Sequence, residues 1–92
     1  MRITKPVVKL WPIEALSAHP RNYRHHPQDQ IDQLKASLRR FGWGKVSISG
    51  RPSDNLLWTG HGVTEAARQL GLSVVPVTER ELSDAEGLAW LA

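Results

Sequence analysis

The chain has 92 residues, of which 40% are hydrophobic and 23% charged, a composition typical of one folded domain with a modest core. It has no cysteine, which excludes disulfides, thiolate metal sites and cysteine nucleophiles, and no apolar stretch of the roughly 20 residues that span a bilayer; a cytoplasmic protein is predicted. The net charge of +3 is uneven, because residues 19–45 contain six basic and two acidic residues and residues 46–92 contain three basic and six acidic ones.

The first 27 residues are predicted to contain little regular structure. Alternating apolar residues predict a strand over 7–11, and residues 12–16 are typical of a single helical turn. Residues 17–27 follow with the sequence SAHPRNYRHHP, which is polar and contains two prolines. This segment is predicted to be a loop, and loops of this length often carry function.

The clearest predicted helix covers residues 28–41. Apolar residues recur at three- and four-residue steps and predict its buried face; they are Ile31, Leu34, Leu38 and Phe41. The opposite face is predicted to carry Gln28, Asp32, Lys35 and Arg39. Gly42 can end the helix in a left-handed conformation.

The second half alternates strands and helices. Strands are predicted over 45–49, 56–59 and 74–77, with a turn at 50–55 between the first two. A helix with Val63, Ala66, Ala67 and Leu70 on one face is predicted to end at Gly71. The order of elements predicts a small α/β (α+β) domain over residues 1–92, with a mixed sheet of short strands and about three helices.

The last predicted helix begins at Ser83, where Glu86 three residues later completes a capping box. The chain stops inside this helix, at the apolar residues Trp90 and Leu91. Either these last turns dock on the core or the sequence is part of a longer protein. The second interpretation is favoured.

The Gly-His-Gly segment at Gly60–Gly62 lies between an apolar strand and a helix. Glycines allow a sharp bend and a close approach of a ligand, and the free N–H groups at a helix start favour an anion. His61 and Thr64 could add donors. The alternative is that the glycines only form a tight corner and His61 is solvated.

The basic middle of the chain suggests contacts with phosphates. Arg21, Asn22 and Arg24 are groups that bind phosphates and base edges. Contacts to DNA phosphates are predicted for Lys35, Arg39 and Arg40. Tyr23 and Trp43 flank basic residues and could stack on bases, although such aromatics more often cover the edge of a core.

The sequence contains few residues that could bind a metal or act in catalysis. Three histidines lie in the basic middle, but without an acidic or cysteine partner nearby no metal site is predicted. Glu14 and His61 are the candidate catalytic residues, because they are the only plausible acid–base groups for the glycine turn. Whether the protein is an enzyme stays open at this point.

Two stretches together resemble the ParB N-terminal (ParB/sulfiredoxin-like) domain family. They are HPRNYRHHPQDQIDQLKASLRRFGW, from residue 19, and LLWTGHGVTEAARQLGLSVVPV, from residue 56. The version most similar is found in phage and bacterial proteins, often ahead of a DNA methyltransferase domain. The match runs from about residue 7 to residue 92, and no single piece of it would be specific.

The resemblance implies a phosphate-binding turn at Gly60–Thr64, with Arg21, Asn22 and Arg24 facing it. One branch of the family binds CTP there, with a loop arginine that corresponds to Arg24; other branches use ATP, and some members are described as nucleases. The cofactor expected is therefore CTP or ATP with Mg²⁺. The family usually has arginine where this chain has Val63, so a weakened site is expected; the absence of cysteine excludes sulfiredoxin chemistry.

Two functions follow from the resemblance. The first is a DNA-associated module of a DNA segregation or modification system, with DNA, a nucleotide, a fused or associated methyltransferase and a second copy of the chain as partners. The alternative is a nucleotide-dependent enzyme at the same pocket, either an NTP hydrolase, a kinase or a nuclease.

Overall fold

The structure, a computed structural model, describes residues 7–18, 26–45 and 47–91. Its strands and α-helices, in chain order, are β1 (Val7–Pro12), β2 (Ser17–Ala18), α1 (Gln28–Phe41), β3 (Ser49–Arg51), β4 (Leu56–Thr59), α2 (His61–Gln69), β5 (Val74–Glu79) and α3 (Asp84–Leu91). Short 3-10 helices cover Ile13–Ala15 and Gly42–Lys45. No helix in these ranges combines the length and the apolarity needed to cross a bilayer.

The strands form one mixed sheet in the order β1-β5-β3-β4-β2. β5 pairs antiparallel with β1 and parallel with β3, while β4 pairs antiparallel with β3 and parallel with β2. The order places β3 and β4, which are adjacent in sequence, beside each other at the middle of the sheet. The predicted α/β class, with a mixed sheet and three helices in the described ranges, is confirmed.

Helices α1 and α2 pack together and supply much of the core. Ala66 and Ala67 are fully buried on α2, and their short side chains let the backbone of α2 lie close to the elements that pack against it. Ile31 of α1 and Val63 of α2 join the same cluster, which also contains Val75 and other residues of the sheet. The α1 bounds agree with the predicted helix, and Gly42 ends it at a positive φ of 65°.

The predicted strand over 45–49 is wrong. The segment begins with the 3-10 helix Gly42–Lys45, and β3 starts only at Ser49. Strand residues need partners, and β4 and β5 pair with β3 at Ser49 to Arg51. Gly50 suits this position because a Cβ there would lie 2.8 Å from the ring of Trp11. Alternation of side chains alone could not locate those partners.

The faces of α1 also differ from the prediction. Phe41 was predicted to be buried, but its side chain is 54% exposed. At 3.6 residues per turn Phe41 lies about 80° around the axis from Ile31, at the edge of the apolar stripe. Lys35 lies only about 40° from Ile31, so it borders α2 rather than facing away. Its Nζ is 3.4 Å from Oε1 of Gln69, which also accepts from the side chain of Gln28.

Helix α3 packs against the side chain of Trp58, a residue of β4. Gly87 is buried, and its missing side chain leaves room for the Trp58 ring. The capping box predicted at its start is confirmed: the Glu86 N–H donates to Ser83 Oγ over 3.2 Å, and the Ser83 N–H donates to Glu86 Oε1 over 2.9 Å.

Candidate functional site at the start of helix α2

The turn between β4 and α2 depends on Gly60. Its φ of 92° lies in the left-handed region, and a Cβ there would lie 2.7 Å from Cγ1 of Ile48. A residue with a side chain would therefore be strained and would also collide with the core. This glycine sets the direction in which α2 leaves the sheet.

The first turn of α2 lacks a capping side chain, because its N-cap residue is Gly60. The first α-helical hydrogen bond runs from the Thr64 N–H to the Gly60 carbonyl over 2.9 Å. The N–H groups of His61, Gly62 and Val63 precede it and have no intrahelical acceptor. They point out of the helix start, where the helix dipole favours a negative charge.

His26 lies against this turn from the start of α1. A Cβ at Gly62 would lie 3.2 Å from Nδ1 and Cε1 of the His26 ring. The ring is oriented by Gln30, whose Oε1 is 2.9 Å from His26 Nδ1. The absence of a side chain at Gly62 therefore allows the beginning of α1 to dock on the beginning of α2.

A cavity of about 410 Å³ opens in front of the turn. Its lining comes from α1, β4, α2, α3 and the segment before β3: His26, Leu34, Ser47, Trp58, Thr59, Gly60, His61, Gly62, Val63 and Leu91. This volume is within the range of small-molecule sites. Apolar walls with a row of backbone N–H groups at one end suit a ligand that has both a flat apolar part and an anionic part.

The electrostatics of the cavity come mainly from two histidines. Burial lowers the pKa of His61, and the nearby His26 lowers it further. His61 is therefore neutral at pH 7. Thr64 is buried, and its Oγ1 has no hydrogen-bond partner within the described ranges. Val63 is a core residue and brings no charge to the turn.

The other predicted site residues divide into three groups. Arg21, Asn22 and Arg24 lie outside the described residues. Glu14 is exposed in the 3-10 helix Ile13–Ala15 and does not line the cavity. The predicted DNA contacts are on α1, where Arg39 and Arg40 are exposed and Lys35 is engaged by Asp32 and Gln69.

Sequence reasoning missed several residues that line the cavity. Thr59 and Trp58 end the strand before the turn, so their position along the chain was an available signal. His26 was considered only as a weak metal candidate, and among the described residues no group of three or more potential metal ligands exists. Leu34 and Leu91 carry no local signal, because they reach the cavity only through the packing of α1 and α3.

Comparison with known proteins identifies relatives of this fold. No protein-family model matches the chain. Over 66 residues it is 33% identical to the ParB-like nuclease domain-containing protein YnaK of Escherichia coli strain K12, an alignment that covers 72% of this chain and 74% of that protein.

Solved structures agree with this relationship. The C-terminally truncated chromosome-partitioning protein ParB of Caulobacter crescentus complexed with CTP-γ-S superposes with a TM-score of 0.78 and 28% identity, over 92% of this chain and 50% of that one. The same protein complexed to the centromeric parS site gives a TM-score of 0.66 and 26% identity, over 87% and 42% of the two chains. The present chain thus spans about half the length of the ParB chain in the CTP-γ-S complex.

Sulfiredoxin from Arabidopsis thaliana has the same fold. Its TM-score is 0.72 at 24% identity, and the match covers 94% of this chain and 97% of the other. The predicted ParB/sulfiredoxin-like fold is confirmed by these structures.

Proposed function

The chain belongs to the ParB-like (ParB/sulfiredoxin-like) domain family, and we propose that it is a DNA-associated module that binds a nucleoside triphosphate at Gly60–Thr64. The main support for a nucleotide site is the uncapped start of α2, which opens into a cavity of about 410 Å³. The relative from Caulobacter crescentus, crystallised with CTP-γ-S, supports CTP as the first ligand to test.

The phosphates would be bound mainly by the N–H groups of the first turn of α2. These groups are fixed by the backbone, so they need no side-chain ordering when the ligand arrives. Gly62 adds no side chain in front of them, and a Cβ there would lie 3.2 Å from the side chains of His26 and Leu34. The apolar side chains of Leu34 and Leu91 would receive the base or sugar.

The positive charge for the phosphates would come from the segment before α1. Within the described residues the lining of the cavity contains no arginine or lysine, and Val63 occupies the position where the family usually has arginine. His26 lies at the turn and follows Arg24 by two residues, which supports Arg24 as the main phosphate contact, with Arg21 and Asn22 beside it. A triphosphate would also require Mg²⁺ to neutralise the remaining charge.

Calorimetric titration with CTP, ATP and ADP, with and without Mg²⁺, tests the proposal. We expect CTP or ATP to bind and Arg24→Ala to weaken binding about tenfold or more, since a charge-assisted hydrogen bond contributes about 1.5–3 kcal/mol. Arg39→Ala is the matched control, because Arg39 does not line this cavity. The proposal is wrong if no nucleotide binds to the folded protein, or if both variants bind it equally well.

Association with DNA is the second part of the proposal. Arg39 and Arg40 are exposed on α1, and the parS complex of the Caulobacter crescentus relative supports a DNA partner. Lys35 contributes less to this surface, because its ammonium is already placed between Asp32 and Gln69. A role in segregation or modification of DNA, with an associated methyltransferase or a second copy of the chain, is part of the same proposal.

A nucleotide-dependent enzyme is the alternative. It is favoured by His61, whose neutral imidazole lines the cavity and could accept a proton at pH 7. Glu14 would have to approach the cavity to take part. Release of phosphate from CTP or ATP, and cleavage of a DNA substrate, should then stop in His61→Ala and be unchanged in Glu14→Gln. Absence of turnover in the wild type would leave the binding module as the function.

A further inference from the structure

A second concave site lies at the C-terminal end of α1, away from the turn. It has a volume of about 340 Å³ and is lined by Leu38, Arg39, Gly42, Trp43, Leu70 and Leu72. We call it the α1 C-terminal pocket. It shares no lining residue with the cavity at Gly60–Thr64, which lies at the other ends of both helices.

The surface around the α1 C-terminal pocket is both apolar and cationic. Leu72 of the lining is 42% exposed, so a large apolar side chain of the pocket faces solvent. Phe41, which precedes the lining residue Gly42 in the chain, is 54% exposed. The Arg40 guanidinium carbon lies 5.1 Å from the centroid of the Phe41 ring and holds it by a cation–π contact.

The charge of the two arginines at this site is not neutralised locally. No described acidic side chain forms an ion pair with Arg39 or Arg40: Asp32 is paired with Lys35, and Glu65 is paired with Arg68. The pocket therefore presents apolar and aromatic walls together with the positive charge of Arg39, and the exposed Arg40 follows it in the chain. A ligand complementary to it carries flat apolar groups and negative charges close together.

Resting on the proposed association with DNA, we propose that the α1 C-terminal pocket binds an unstacked base of single-stranded nucleic acid, with Arg39 and Arg40 on the flanking phosphates. Bases in a duplex are stacked and paired and cannot enter a pocket, whereas bases of a single strand can stack on aromatic side chains. Trp43 and the leucine side chains form the walls, and the exposed Phe41 ring offers a stacking surface for a neighbouring base.

A nucleic acid fits better than a purely apolar partner. Arg39 is part of the lining, so an apolar side chain in the pocket would desolvate its guanidinium without supplying an acceptor. A nucleotide supplies a flat face for Trp43 and a phosphate for Arg39, both of which line the pocket. The competing occupant is an acidic peptide with a bulky apolar anchor, and the experiment includes it.

The test compares oligothymidylate of 20 nucleotides with a 20-base-pair duplex, by fluorescence anisotropy at low salt. We expect the single strand to bind more tightly, and Leu72→Ser and Trp43→Leu each to weaken its binding about tenfold, the effect of one stacked base. Duplex binding should change little in both variants. Leu88→Ser is the matched control, because Leu88 is 36% exposed on α3 and lines neither site.

Trp43 packs against the core, so circular dichroism must show that Trp43→Leu is folded; the exposed Leu72 provides the second variant if it is not. Equal binding of the single strand and the duplex, or no effect of Leu72→Ser, overturns this inference. If Arg39→Gln then still weakens the binding of both the single strand and the duplex, the proposed DNA association stands without the pocket. A Trp-containing acidic peptide tests the competing occupant. If the binding of this peptide needs Leu72, and if the single strand that it displaces depends on Arg39 but not on Leu72, the pocket binds a protein partner instead.

Discussion

Gly60 shows how a single residue can determine the shape of a site. Both its φ of 92° and the space filled by Ile48 exclude a side chain. We expect Gly60→Ala to lower the free energy of unfolding by about 2–4 kcal/mol, from left-handed strain and overpacking together. Chemical denaturation measures this change.

Gly71 is the matched control for Gly60. Its φ is also positive, at 83°, but a Cβ there would meet no atom within 4 Å. Gly71→Ala should therefore cost only the conformational strain, about 1–2 kcal/mol. Equal losses in the two variants would show that the contact with Ile48 does not matter.

His61 makes stability depend on pH in a defined direction. Its pKa in the folded state is lowered, chiefly by burial, whereas in the unfolded chain it takes up a proton near its ordinary pKa of about 6.5. Below that pH the unfolded state binds more protons, so the free energy of unfolding falls as the pH is lowered. Above about pH 7.5 both states are neutral and the contribution vanishes.

Replacing His61 by glutamine removes this contribution. Between pH 7.5 and pH 5.5 the free energy of unfolding of His61→Gln should fall less than that of the wild type, as measured by urea denaturation at each pH. Parallel pH profiles would mean that the histidine is not desolvated in solution.

At the scale of elements, α3 depends on the absence of a side chain at Gly87. A glycine-to-alanine change inside a helix usually stabilises it by about 1 kcal/mol. Here the added methyl group would meet the buried ring of Trp58, so Gly87→Ala should destabilise the protein by about 1–3 kcal/mol and shift the tryptophan fluorescence.

The control for this change is Gly44→Ala. Gly44 lies in the 3-10 helix Gly42–Lys45, where a Cβ would meet nothing within 4 Å. Its effect on the midpoint of thermal unfolding should be small. A stabilising effect of Gly87→Ala would indicate that α3 does not pack on Trp58.

Arg51 joins α3 to the turn before β4. Its guanidinium forms ion pairs with Asp54 and Asp84 at 2.9 Å and donates to the carbonyl of Leu82 at 2.8 Å. The hydrogen bond from Arg51 lowers the pKa of Asp54. One arginine therefore fixes the start of α3, whose far end contributes Leu91 to the cavity.

At the scale of the whole molecule, the uneven charge predicts how DNA binding responds to salt. Each phosphate contact that is lost should reduce the slope of log K against log salt concentration by about 1. Arg39→Gln and Arg40→Gln should each show this reduction, whereas Arg68→Gln should not, since Arg68 is paired with Glu65. Titrations at several salt concentrations measure the slopes, and salt-independent binding would exclude this electrostatic mechanism.

Local features were predictable from the sequence because their causes are local. The glycines of the turn, the bounds of α1 and the capping box at Ser83 each depend on residues within a few positions of one another. The strand predicted over 45–49 was wrong because pairing with β4 and β5, which are distant in sequence, decides where β3 begins.

The amino-acid sequence by itself determined the family, the fold class and the glycine turn, since these rest on motifs and on helix and strand periodicity. Only the tertiary structure decided what surrounds that turn: the ring of His26 over Gly62, and Leu91 of α3 at the far wall of the cavity. It also decided that Phe41 is exposed and that a second pocket lies at the C-terminal end of α1. The physical reason is that packing joins side chains far apart in the chain, and no local pattern encodes which of them will meet.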